Sequence, residues 1–315
     1  MTGARTDCAP RTHRGDEVRL WICANDDLGP GMATALAGHW LDEHELATAD
    51  RFVFERDRRQ YLVAHVMVRR LLSLETGVPE ALVELRRSDR GRPSLRPPDG
   101  GLRCGHGELD FNLSHAHGYN AIVVARGRRV GVDVERFDRV GGRALEGIAE
   151  SFTPGERRQL AGLPAGGVRD RAVLRLWTLK EAYSKARGLG LGLPFDSFGF
   201  VLSGSDRVLA FEPPADDPAG RWSFLALEPE PDLLLSVAVE AGAEPPRAVH
   251  LHGGFPWRPA ALRDSFTPGH PAPLLTPGTL SVPGTAAPAA ARPGPVRPGP
   301  AGTPPHHTEA PRSAA

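Results

Sequence analysis

The 315-residue chain reads as an α+β protein, and three observations predict that class. Strand-like runs at residues 18–22, 121–125, 130–135 and 233–238 are mixed with longer helical stretches along the chain. Helix punctuation is explicit: Thr153-Pro-Gly-Glu156 supplies an N-cap, a first-turn proline and a capping-box carboxylate, while Gly188 and Gly190 end a later helix. Proline makes up roughly a quarter of the residues from Gly242 onward, and aromatics nearly vanish after Phe266. Such a segment cannot bury a core, so 242–315 is expected to be a disordered Pro/Ala/Gly-rich tail.

The elements follow in order. A strand, Val18-Arg-Leu-Trp-Ile22, opens the chain's structured part, and helical stretches occupy residues 46–74, ending in an apolar helix over 61–74. After a turn at Gly91-Arg-Pro93 comes a strand, Phe111-Asn-Leu-Ser-His115, then the turn Ala116-His-Gly118 and the apolar run 121–125. Arg126-Gly-Arg128 is short enough to return that run as an antiparallel hairpin into Arg129-Val-Gly-Val-Asp-Val-Glu135. A helix after Ala144, the Thr153-capped helix and a helix through residues 177–188 precede strands at 198–202, 222–226 and 233–238. The two halves are not visibly repeated.

The chemistry-bearing residues sit in three of these segments. Only two lysines occur, Lys180 and Lys185, both in Trp177-Thr-Leu-Lys-Glu-Ala-Tyr-Ser-Lys-Ala-Arg-Gly188; all other fixed positive charge is arginine. A compact ammonium in so arginine-biased a chain suggests a point charge fitted to a tight site. Trp177, Glu181 and Lys185 recur every four residues and share one helical face, whereas Lys180 points about 100° away. Alternation in 129–135 puts Asp133 and Glu135 on one strand face, about 7 Å apart, where they repel each other unless a cation lies near. Oxygen ligands of this kind suit Mg²⁺, with Mn²⁺ equally able to accept them. Ser114 and His115 point to opposite faces of an extended strand, which argues against a nucleophile–base pair and for donation to phosphate oxygens.

Composition narrows the class without choosing it. Thirty-eight basic and 38 acidic residues leave zero net charge, which argues against a dedicated nucleic-acid binder. No run reaches the length of a membrane span, and residues 1–14 lack the apolar core of a signal peptide. Cys8, Cys23 and Cys104 are odd in number and widely spaced, as suits reduced thiols in a cytoplasm rather than a disulfide framework.

Taken in order and at these separations, Phe111-Asn-Leu-Ser-His115, Gly131-Val-Asp-Val-Glu135 and Trp177-Thr-Leu-Lys-Glu-Ala-Tyr-Ser-Lys185 resemble the 4′-phosphopantetheinyl transferase superfamily in its longer, surfactin-synthetase-activating type. Gly91-Arg-Pro93 resembles the family's Gly-Lys-Pro turn, and the likeness spans roughly residues 15 to 240. The resemblance implies two pseudo-symmetric α/β lobes, 15–127 and 128–241, with the active site in the cleft between them. It implies Mg²⁺-dependent transfer of the phosphopantetheine arm of coenzyme A to a serine of an apo acyl or peptidyl carrier protein, releasing adenosine 3′,5′-bisphosphate. By the same resemblance Asp133, Glu135 and Glu181 hold the metal, Asp133, Glu181 and Lys185 are catalytic, and Arg59, Arg92, Ser114, His115, Lys180 and Lys185 bind coenzyme A. Gln60 departs from the pattern by standing where the family usually has arginine. That departure favours the alternative of a non-catalytic carrier-protein and coenzyme A binding module. A monomer is expected, since two lobes in one chain can complete a cleft.

Overall fold

The computed structural model describes residues 17–96, 108–203, 207–241, 246, 248–257 and 262–266. The fold is built on two main sheets, each with helices on its outer face. In the first half, strand β1 (Glu17–Ala24) is followed by α1 (Pro30–Trp40), α2 (Glu43–Ala49) and the long α3 (Glu55–Thr76), which ends at Gly77 in the left-handed conformation. A small hairpin, β2 (Leu85–Arg87) and β3 (Pro93–Leu95), turns through Gly91 at a φ of 83°. Strands β4 (Leu109–Ala116) and β5 (Tyr119–Arg126) form the expected hairpin through Gly118.

The second half runs β6 (Val130–Arg136), α4 (Gly142–Glu150), α5 (Pro154–Ala161), α6 (Gly167–Arg187), β7 (Gly199–Ser203), β8 (Arg207–Glu212), β9 (Trp222–Glu230) and β10 (Leu233–Glu240). The α5 capping box is formed as the sequence predicts: Thr153 Oγ1 accepts from Glu156 N at 3.1 Å and Glu156 Oε2 accepts from Thr153 N at 3.0 Å. Helix α1 and the strands β2, β3, β8, β11 (Ala248–Gly253) and β12 (Leu262–Phe266) were not anticipated.

Two expectations need correcting. First, β5 and β6 are not a hairpin: β5 pairs with β1 and β4, whereas β6 pairs with β10 in a separate sheet of order β6-β10-β9. A three-residue link suits a hairpin, but here it carries the chain from one sheet into the other, because Val130, Val132 and Val134 gain a fully buried face between the sheets. Second, the C-terminal lobe does not end the structure at 241. β11 runs parallel to β1 and β12 antiparallel to β11, so the first sheet has the order β12-β11-β1-β5-β4. Apolar Val249, Leu251 and Phe266 alternate into its inner face, and this short patterned stretch was hidden by the proline content around it. Residues 267–315, where the rest of the tail was expected, lie outside the described residues, as do Cys8 and Cys104.

Three cores follow from the layering. One lies between α1–α3 and the outer face of the first sheet, around Trp21, Met67, Phe111 and Val124. The second fills the space between the sheets, with Leu20, Val123, Val132, Leu235 and Val237 all buried. The third packs α4–α6 on the outer face of β10 and β9, around Leu176, Tyr183, Phe198 and Leu234. Strand alternation decides the partition: in β10, Leu233, Leu235 and Val237 face the other sheet while Leu234, Ser236 and Ala238 face α6. Among the described residues no helix is long and apolar enough to cross a membrane.

Candidate active site

The site forms where the edge of the first sheet meets β6 and α6. Gly131 is what lets α6 reach β6. A Cβ at that position would stand 2.0 Å from the Ala182 carbonyl oxygen and 2.6 Å from Ala186 N, so only glycine admits the helix backbone this close. The glycine lies in a strand interior, and that was the available sequence signal for a close approach. Thr178 Oγ1, one turn before Ala182, meets Ser236 Oγ of β10 at 2.8 Å and helps seat the helix on the sheet.

With α6 so placed, its 177–181–185 face meets the polar face of β6. Lys185 Nζ donates to Asp133 Oδ1 at 2.6 Å and to Ser114 Oγ at 3.1 Å, and Ser114 Oγ donates to the same Asp133 oxygen at 2.9 Å. Asp133 is 3% exposed. Its second oxygen, Oδ2, is buried without a hydrogen-bond partner, an expensive state for an ionised group unless a cation answers it. Glu135 and Glu181 are near enough for the Asp133 charge to act on both. Burial, the Asp133 charge and, for Glu135, the Glu181 charge push each carboxyl up to about 7, with Lys185 opposing. Burial works to depress the Lys185 ammonium, but Asp133, Glu181 and Glu135 outweigh it and its pKa rises. His115, near the end of β4, has its pKa lowered by desolvation and by the Lys185 charge, with Asp133 opposing, which favours the neutral imidazole.

This donor set fits a hard divalent cation: three carboxylates, one with an orphaned oxygen and two held back from ionising by burial and by the Asp133 charge. Among the described residues no three His, Cys, Asp or Glu side chains converge into a ready-made metal cage. An ion that keeps water and phosphate oxygens in its shell does not require one. The structure thus brings Asp133, Glu135, Glu181, Lys185, Ser114 and His115 to one place. Trp177 shares their helical face: its ring meets Phe195 edge-on at 5.4 Å, and its indole N–H donates to the Glu135 carboxylate.

The other expected ligands are placed elsewhere. Lys180 is fully buried on another side of α6, where Nζ pairs with Glu156 Oε2 at 2.9 Å and donates to the carbonyls of Phe195 (2.7 Å) and Phe198 (2.6 Å). It is a structural ammonium with no path to a phosphate, because the rotation of one residue along a helix aims it into the third core. Arg92 has its guanidinium committed at the junction of the sheets, to Asp110 Oδ2 (2.6 Å), Val130 O (3.0 Å) and Lys185 O. Arg59 holds the turn after β1 through Asn25 O (2.9 Å) and Asp26 Oδ1 (3.0 Å).

Gln60 also has a structural task. Asn25 Nδ2 donates to Gln60 Oε1 (2.9 Å), Gln60 Nε2 to Asn120 Oδ1 (2.7 Å), and Asn120 Nδ2 to Asn25 Oδ1 (3.0 Å), closing a ring of three amides. Gln60 also accepts from Gly118 N (3.1 Å) and donates to Tyr119 O (3.0 Å), so it clasps the β4–β5 turn beside His115. An arginine has no acceptor and could not close that ring.

Comparison with known proteins agrees with the geometry. Residues 129–237 match the family model of the 4′-phosphopantetheinyl transferase superfamily, and residues 32–127 match that of the 4′-phosphopantetheinyl transferase N-terminal region. The 4′-phosphopantetheinyl transferase HetI of Nostoc sp. is 31% identical over 245 residues, covering 78% of this chain and 91% of that protein. A phosphopantetheinyl transferase of Thraustochytrium sp. is 29% identical over 233 residues, covering 71% and 78% of the two chains. The L-aminoadipate-semialdehyde dehydrogenase-phosphopantetheinyl transferase of Homo sapiens is 25% identical over 172 residues, covering 53% and 55%. Ser114 and His115 fall in the N-terminal match and Asp133, Glu135, Glu181 and Lys185 in the other, and the chain belongs to the 4′-phosphopantetheinyl transferase superfamily.

Proposed function

We propose that this transferase, of the longer surfactin-synthetase-activating type, moves the 4′-phosphopantetheine arm of coenzyme A onto a serine of an apo acyl or peptidyl carrier protein and releases adenosine 3′,5′-bisphosphate. The observation that carries this reading is the ion pair between buried Asp133 and partly exposed Lys185, with one carboxylate oxygen orphaned and two nearby carboxyls raised to about 7. Asp133, Glu135 and Glu181 would hold Mg²⁺ or Mn²⁺, which when bound supplies positive charge that neutralises the pyrophosphate.

The chain's own residues supply the rest. Lys185, held charged by its carboxylate neighbours, offsets pyrophosphate charge from the helix side. Ser114 keeps Asp133 Oδ1 and Lys185 in register, which leaves Oδ2 free to ligate. Neutral His115 donates one ring N–H toward a phosphate of coenzyme A. Glu181 accepts the proton of the attacking serine hydroxyl. The serine oxygen bonds to the phosphorus bearing the pantetheine arm, the pyrophosphate P–O bond breaks, and the electron pair leaves on adenosine 3′,5′-bisphosphate.

Gln60 no longer favours a non-catalytic module, since the clasp at the β4–β5 turn accounts for a glutamine there. One chain contributes every residue of the cluster, which supports a monomer, and light scattering at the mass of one chain is the expected result. The decisive experiment is the intact mass of apo carrier proteins incubated with coenzyme A, Mg²⁺ and this protein. A gain of one phosphopantetheine, abolished by EDTA, is expected; no gain on any of several carrier types despite coenzyme A binding would overturn the reading. Glu181→Gln is expected to lower kcat by about 100- to 10,000-fold while retaining coenzyme A binding, the range for a lost general base.

A further inference from the structure

Among the described residues the contact between β4 and β6 has no backbone ladder, although both are edge strands that lie against each other. β4 is paired through its backbone with β5 alone, and β6 with β10 alone. The free N–H groups of β6 are met by side chains on alternate residues of β4. Asp110 Oδ2 accepts from Val130 N at 2.9 Å, Asn112 Oδ1 from Val132 N at 2.9 Å, and Ser114 Oγ from Val134 N at 3.3 Å. The intervening Phe111 and Leu113 pack into the core against α3, so the polar row occupies the opposite face of the strand from residue 110 to 114. Arg92 closes the row, bonding Asp110, Val130 O and the Lys185 carbonyl on α6.

We infer that Asp110 and Asn112, with Arg92, are positioning residues for the transfer reaction, forming a side-chain ladder that sets β6 in register against β4. The inference rests on the functional reading above. Its physical content is the two-residue period: a slip of one residue would turn Asp133 into the apolar space between the sheets and a valine toward Lys185. Ser114 alone cannot prevent that, being one acceptor at the end of the row. Asn112 is 5% exposed and sits two residues from Ser114, so an edge N–H of β6 left without its oxygen is buried and unanswered. None of the three side chains need touch a reacting group; they act through Asp133 and Lys185.

The test compares Asn112→Thr with Asn112→Val, side chains of one shape of which only threonine carries an acceptor oxygen. Amide hydrogen exchange by NMR reads the ladder directly, and steady-state kinetics read its consequence. In Asn112→Val the Val132 amide should lose protection and kcat should fall about tenfold or more, with KM for coenzyme A moving less than about twofold, because misplacement of a reacting group costs rate before binding. Asn112→Thr should keep the amide protected and restore most of kcat. Equal kcat in the two variants, or a Val132 amide still protected in Asn112→Val, would overturn the inference. Should Asn112→Val fail to fold, Asp110→Ala at the more exposed end of the row gives the same reading through Val130, and an unchanged kcat there overturns it equally. Exchange at Val132 remains decisive even if the wild-type protein transfers no phosphopantetheine, so failure of the ladder and failure of the functional reading are told apart.

Discussion

Helix α6 carries the chain's two lysines into two buried carboxylates, and the two pairs could hardly differ more in what surrounds them. Lys180 and Glu156 are 0% and 1% exposed, and every polar group at the pair is answered: Glu156 caps α5 and accepts from Phe200 N, while Lys180 also serves two carbonyls. Lys185 is 27% exposed and its partner Asp133 keeps one oxygen unanswered, beside two further carboxyls raised to about 7. A satisfied pair is a fastener. A pair left short of positive charge, open on one side, is a site awaiting a cation and a polyanionic substrate.

The comparison breaks most visibly if Lys180 is removed. Lys180→Ala strands Glu156 among aromatic side chains and should destabilise the protein by about 3–5 kcal/mol, as loss of one partner of a buried pair does; a melting temperature within a few degrees of wild type would refute the fastener reading. Lys185→Ala should do the reverse, with kcat falling about 100- to 1,000-fold, as for loss of one electrostatic stabiliser, while thermal stability stays near wild type. Turnover close to normal would remove Lys185 from the mechanism.

Glu45 extends the contrast to a third buried carboxylate. Burial disfavours its charge, yet hydrogen bonds from His65 (2.8 Å) and Arg69 (2.8 Å) more than offset this and hold its pKa at about 2 against 4.5 for the free group. A depressed pKa contributes stability that is whole above pH 4.5 and is lost as pH falls toward 2. The difference corresponds to about 3 kcal/mol. Glu45→Gln should therefore lower stability at pH 7 by about that amount and flatten the acid limb of a pH–stability curve; a parallel curve would show that Glu45 is not the group titrating. The smallest effect is expected of Thr153→Ala, about 1 kcal/mol for a lost N-cap, read from the denaturation midpoint.

Much of this was legible beforehand, for identifiable reasons. The helical period placed Glu181 and Lys185 together and Lys180 apart, the strand period put Asp133 and Glu135 on one face, and the Thr153 capping box is a contact between residues three apart. Each is a local regularity. Where local reasoning failed, the deciding partner was distant: Arg92 looked like a phosphate ligand until Asp110 and the Lys185 carbonyl claimed it, and Gln60 looked like a lost contact until Asn25 and Asn120 closed a ring around it. The Ala121–Glu135 region misled because a short glycine link suits a hairpin and a change of sheet equally well.

By itself the sequence determined the α+β class, the capped helices, the faces on which the acidic and basic groups lie, and the family whose chemistry those groups serve. These depend on backbone periodicity and on residues within a turn or two of each other. The tertiary structure alone decided that residues 248–253 and 262–266 complete the first sheet, that Gly131 admits α6 onto β6, and that β4 answers β6 with side chains. It also decided which of two lysines is buried and spent and which stands open to the site. The physical reason is that burial, desolvation and hydrogen-bond satisfaction belong to pairs of residues brought together across the chain, and no local pattern records which pairs those will be.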